Sequence, residues 1–185
     1  MLDEILEEVG RHMDRSLDVL DHELRSIRTG RASTSFVEGL MVETYGGSSP
    51  LNTIASLAVP EARLLVVQPW DKSIIADIER AIEQSDLGIT PSNDGTVIRL
   101  PFPPLSADRR RDLVKVVKAK LEDAKVAVRN IRREAQDDIR ETEHEKMCSQ
   151  DEAHRAQQQL QEVTDSRILK IEEVGDRKEE EVLEV

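Results

Sequence analysis

Lys118, Lys125, Arg129, Arg132 and Arg133 follow one another at steps of seven, four, three and four residues. On an α-helix such steps return to one side. A row of five cations, with guanidinium forks that take a phosphate by two hydrogen bonds, is a footprint for a nucleic-acid backbone. The row avoids the apolar positions Val128 and Ile131, so it is expected on the exposed side of its helix. Arg109-Arg110-Arg111 stands near the start of the same segment. The row also has a purely structural use, since acids on a neighbouring helix would pair with it. Arg28 and Arg31, on either side of Thr29 and Gly30, favour phosphate binding, because exposed arginines at a mobile joint have little structural task.

Catalytic constellations are scarce. His12, His22, His144 and His154 all fall in polar stretches, and no G-x-S-x-G, P-loop or H-E-x-x-H motif occurs. His144 and Cys148 are four apart and would share a face of a continuous helix, but two ligands do not make a metal site. No enzyme, metal or cofactor is expected. Cys148 is the only cysteine, which excludes an intramolecular disulfide.

The elements that hold these residues can be read from where the rare residues sit. All seven prolines, all four aromatics (Phe36, Tyr45, Trp70, Phe102) and six of the eight glycines lie between Gly30 and Leu105. Proline and glycine punctuate strands and turns, and their absence permits long helices. Boundaries therefore fall near residues 29 and 105. In the first flank, Leu2, Ile5, Val9, Met13, Leu17, Leu20, Leu24 and Ile27 recur at helical steps through residues 2–27. In the second flank a helix begins after Pro103-Pro104, with Ser106 as N-cap and Asp108 near its positive end. Its seam is Val114, Val117, Leu121, Ala124, Val128, Ile131 and Ala135, a heptad pattern that fades past Ile139. Ser149-Gln150-Asp151-Glu152 has the form of a capping box, so a third helix starts there after a tight connection over residues 145–149.

A lone amphipathic helix cannot bury its stripe, so residues 1–29 and 106–185 are expected to form a three-helix bundle. Residues 30–105 are then an insertion. The strand-like segments Gly39 to Tyr45, Arg63 to Val67 and Val97 to Leu100 make it a small β/α/β domain. Its helix starts at Asp71, carries Ile74, Ile75, Ile78, Ala81 and Ile82 on one side, and ends at Gly88. The expected class is α+β: an elongated bundle whose second helix, some 40 residues, would be ~60 Å long, with the insertion joined by two strands of chain. Those strands, through Thr29-Gly30 and Pro103-Pro104-Leu105, suggest an L shape with a hinge.

Net charge is −12, with 26 Lys+Arg against 38 Asp+Glu. A general nucleic-acid binder would be basic throughout. Residues 106–135, however, hold 10 basic against 5 acidic residues, and 136–185 hold 7 against 16. Binding would have to be local and shape-dependent. No apolar run approaches the ~18 residues of a membrane span, and the acidic start Met1-Leu2-Asp3-Glu4 lacks the basic region of a secretory signal. A cytosolic chain is expected, and nothing exposed and apolar demands a second copy, so a monomer.

Several ordered motifs together resemble one family: Arg28-Thr29-Gly30-Arg31-Ala32-Ser33, Tyr45-Gly46, Pro50-Leu51, Ser85-Asp86-Leu87-Gly88 with Pro91, Ile98-Arg99, Pro103-Pro104-Leu105, and Ala124 to Arg133. They are similar to those of the bacterial ribosome recycling factors, across essentially the whole chain. The resemblance implies a translation factor that binds the post-termination ribosome and, with elongation factor G and GTP, separates the subunits and frees them from mRNA. It implies contact with large-subunit ribosomal RNA through Arg132 above all. Arg129, Arg133, Lys125, Lys118, Arg110, Arg28 and Arg31 would assist. It also implies a hinge at Thr29, Gly30, Pro103, Pro104 and Leu105. The rival reading from the residues alone is an acidic helical scaffold, self-associating through its heptads, with an α/β protein-binding module.

Overall fold

A computed structural model describes residues 1–184. The chain divides into two compact units, Met1–Thr29 with the chain from Ala107 onward, and Gly30–Ser106. The first unit is three helices that pack pairwise on one another: α1 (Leu2–Arg25), α4 (Ala107–His144) and α5 (Gln150–Leu183). Val9, Met13, Leu20 and Leu24 of α1 meet Val117, Ala124, Val128, Ala135 and Ile139 of α4, and Ala153, Ala156, Leu160 and Ile171 of α5. The buried α4 positions recur at steps of seven, four, seven and four, so one stripe of an otherwise charged helix faces the core. The seam begins at Leu113, with Val114 only half-buried, because the rotation that centres Val117 and Val128 brings position 113 inward. Arg167 of α5 grips Asp14 of α1 with a two-bond fork, Nε to Oδ1 at 3.0 Å and Nη2 to Oδ2 at 3.1 Å.

The break between α4 and α5 is sharp. Lys146 takes a left-handed conformation, φ 58°. Ser149 then caps α5: its hydroxyl accepts from Glu152 N–H, and the Glu152 carboxylate accepts from Ser149 N–H at 2.8 Å. This satisfies donors that the first helical turn leaves unpaired. No helix among the described residues is long and apolar enough to cross a membrane.

The second unit holds a hairpin, β1 (Met41–Thr44) with β2 (Gly47–Pro50), a one-turn helix α2 (Leu51–Ile54), and a four-stranded antiparallel sheet. The sheet runs β3-β4-β6-β5, from β3 (Ala55–Glu61), β4 (Leu64–Pro69), β5 (Ser92–Asn93) and β6 (Ile98–Pro101). Leu65 and Val67 of β4 and Ile98 and Leu100 of β6 point inward at a period of two. They share a core with Ile75, Ile78 and Ile82 of α3 (Ile75–Gln84), one face at steps of three and four.

One expectation is corrected here, and two features go beyond the expected strands. Strands β2 and β3 lie in stretches where Gly47-Ser48-Ser49 and Ala58-Val59-Pro60 lack clear alternation, and pairing rather than propensity makes them strands. Helix α3 stops at Gln84, four residues before Gly88, because Ser85 is extended and its hydroxyl bonds the Ile82 carbonyl. Asn93 is itself paired, to Ile98, so Asp94 to Val97 close a hairpin. There Asp94 Oδ1 accepts from Thr96 and Val97 N–H, both at 2.9 Å, and Arg99 meets its other oxygen at 3.0 Å. Those bonds to the ionised form, Val97's first and then Thr96's, lower the Asp94 carboxyl to about 2.

Candidate nucleic-acid interface

Helix α4 carries its cations as a flank rather than as an outward face. At ~100° per residue, Lys118, Lys125, Arg129 and Arg132 fall within about 60° of one another, just beside the buried stripe. That flank adjoins α5. Lys125 Nζ lies 2.9 Å from Glu172 Oε1, and Lys118 Nζ 4.0 Å from Glu179 Oε2. Arg132 is half-buried, and its Nη1 donates to Gln161 Oε1 at 3.2 Å. The expected exposed stripe is corrected at two positions: Lys118, Arg129 and Arg133 are exposed, whereas Lys125 and Arg132 are half-buried against α5. The lysines pair with the acidic third helix, as a structural row would, and the arginines do not. Arg129 is exposed and reaches back along its own helix to Glu122, 3.0 Å away. Arg133 lies further round, exposed, with no ion pair among the described residues.

One close approach sets this geometry. Between Glu172 and Glu179 sits Gly175, buried, and between Lys118 and Lys125 sits Leu121; a side-chain carbon on Gly175 would press into the Leu121 methyls. The absence of that carbon lets the two helices come near enough for both ion pairs. Pairs partly open to water are each worth about 0–1 kcal/mol, so they add little to stability while each carboxylate offsets the charge of its lysine.

The remaining sequence-nominated residues are spread more widely. Arg110 is half-buried in the first turn of α4. Arg28 is exposed in the bundle unit, and Arg31 is exposed in the insertion. Thr29 is buried, and its hydroxyl donates to Glu181 of α5 at 2.9 Å. Gly30 has φ 82°, with Pro103 and Leu105 against it: a Cβ would lie 3.2 Å from Leu105 Cγ and 3.6 Å from the Pro103 carbonyl. Pro103 and Pro104 are exposed and Leu105 is half-buried. Sequence reasoning missed Glu172, Glu179 and Gln161. The first two are a heptad apart on α5, which marks a face, but only the antiparallel register reveals what that face meets.

His144 and Cys148 do not share a helix face, since the chain turns at Lys146 between them. Partial burial, then the carboxylates of Glu152 and Glu143, push the Cys148 thiol above its ordinary range, the reverse of what a nucleophile needs. No cluster of three or more metal-ligating side chains occurs among the described residues.

Comparison with known proteins agrees over the whole length. The family described as Ribosome recycling factor matches residues 20–183. The ribosome-recycling factors of Chloroflexus aurantiacus and Halalkalibacterium halodurans are 50% and 49% identical over 185 residues, all of this chain and all of each relative. A solution structure of the ribosome recycling factor superposes with a TM-score of 0.78 at 38% identity, covering 100% of this chain and 98% of that one. A further structure describes the T. thermophilus ribosome recycling factor and E. coli elongation factor G bound to the E. coli post-termination complex. Its factor is 44% identical with a TM-score of 0.66, covering 99% of each chain. With the three-helix bundle, the α/β insertion and matches that run the full length, the chain belongs to the ribosome recycling factor family.

Proposed function

We propose that this protein is a non-enzymatic translation factor. It binds the post-termination ribosome and, with elongation factor G and GTP, separates the subunits and releases them from mRNA for reuse. The observation that carries this reading is identity near one half to ribosome-recycling factors over the entire chain. GTP hydrolysis belongs to elongation factor G. Such work would be done in the cytoplasm.

The bundle, residues 1–29 with 106–185, would dock on large-subunit ribosomal RNA through Arg132, Arg129 and Arg133, with Lys125, Lys118, Arg110, Arg28 and Arg31 adding charge. A guanidinium offers two parallel donors to a phosphate, and each phosphate contact releases condensed counterions. The insertion, residues 30–105, would turn about Thr29, Gly30, Pro103, Pro104 and Leu105. In support, Thr29 is pinned to α5, Gly30 occupies a backbone region that glycine tolerates best, and the proline pair stiffens the return strand. A push on the small domain would then become leverage on the bundle.

The test is subunit splitting. Light scattering of post-termination ribosomes should fall only when this protein, elongation factor G and GTP are all present. Failure of the complete mixture to split ribosomes would refute the role.

A further inference from the structure

Along the α4 flank the α5 partner changes in kind. Lys118 and Lys125 meet carboxylates, Glu179 and Glu172. Arg132, seven residues further on, meets the neutral amide of Gln161. Seven residues back along α5 from Glu172 stands Asp165, the acid that would continue the series. Asp165 Oδ1 is engaged instead by Gln161 Nε2, which donates to it at 2.7 Å. The amide therefore stands between cation and anion, with its oxygen toward Arg132 and its nitrogen toward Asp165. Only that orientation serves both neighbours, since a guanidinium can only donate and a carboxylate can only accept. Among the described residues no carboxylate lies within ion-pair distance of Arg132, and its Nε is buried with no acceptor.

We propose that Gln161 is a positioning residue for the charge that α4 offers to RNA: it steers the Arg132 guanidinium and keeps Asp165 from neutralising it. Glu172 and Glu179 do the opposite, quenching Lys125 and Lys118. Helix α5 thus decides how many phosphates α4 can neutralise. The inference rests on the reading that this flank meets ribosomal RNA.

Binding to purified large ribosomal subunits, measured over a range of salt concentrations, tests it with substitutions that keep side-chain shape. Gln161→Glu puts a carboxylate beside Arg132. Affinity should fall on the order of tenfold, as for one lost charge-assisted hydrogen bond, and the salt slope should become shallower by about one. Arg132→Ala should match it. Glu172→Gln frees Lys125 and should steepen the slope by about one, a gain that damage to the fold does not produce. Weakening by Arg132→Ala together with wild-type binding by Gln161→Glu would overturn the proposal and leave the interface standing. Wild-type binding by Arg132→Ala would overturn both. An unchanged slope in Glu172→Gln would overturn the quenching.

Discussion

Replacing Gly175 by alanine measures how closely α4 and α5 need to approach. A glycine inside a helix is worse than alanine by about 1 kcal/mol, so propensity alone makes the substitution stabilising. The added methyl, however, would overlap Leu121 Cδ1 and lie 3.0 Å from Cδ2 and 3.2 Å from Cγ. Overfilling a packed site costs about 1–3 kcal/mol. Taking about 2 kcal/mol for the overlap and setting about 1 against it leaves the bundle less stable by about 1 kcal/mol. In a Leu121→Ala background the obstruction is gone, and the same substitution should stabilise by about 1 kcal/mol. The coupling between the two sites is then about 2 kcal/mol, well above the few tenths seen for independent positions. Urea unfolding followed by helical circular dichroism, on the two single variants, the double variant and the parent, gives all four corners. Equal changes in both backgrounds would refute the close-contact account of this glycine.

Two further outcomes concern the insertion. The Asp94 carboxyl should titrate at about 2 by NMR. Because that value lies below the unfolded one, its contribution to stability is present above the unfolded range and disappears as pH falls toward 2. An Asp94→Ala variant should lose that acid-range dependence, and a profile identical to the parent's would count against the hairpin-closing role. Gly30→Ala places a side chain at φ 82° and 3.2 Å from Leu105 Cγ; it should destabilise the insertion by about 1–2 kcal/mol, seen as faster amide exchange in β4.

Legibility of the sequence followed physical locality. The helices were readable because their signals are local: the steps of three and four in α1, the heptad stripe of α4, and the Ser149/Glu152 box that opens α5. Strands β2 and β3 were not, since Ser48, Ser49, Ala58 and Pro60 have no strand preference of their own and owe their state to partners distant in sequence. The basic row was visible as a spacing. Its division into quenched lysines and an insulated arginine was not, because that depends on the register of α4 against α5, and no single helix encodes the register of a pair. Gly175 and Gln161 were opaque for the same reason. Their meaning lies in Leu121, and in Arg132 with Asp165.

The discontinuity of the bundle has a consequence for how the chain is made. Helix α1 leaves the ribosome first, yet its Asp14 waits for Arg167, a partner 153 residues later. At ~5–20 residues per second of synthesis, the side of its apolar stripe that faces α5 stays uncovered for roughly 8–30 s. The insertion has no such delay, since residues 30–106 are contiguous and hold their own core. Once folded, it brings Gly30 against Pro103 and Leu105, and so turns a 77-residue loop into a tether of a few residues. Shortening the loop that far removes about 3 kcal/mol of closure entropy from the docking of α1 on α4. The small domain is therefore a clip as well as a passenger: by closing first, it holds the two ends of the unfinished bundle in reach of each other.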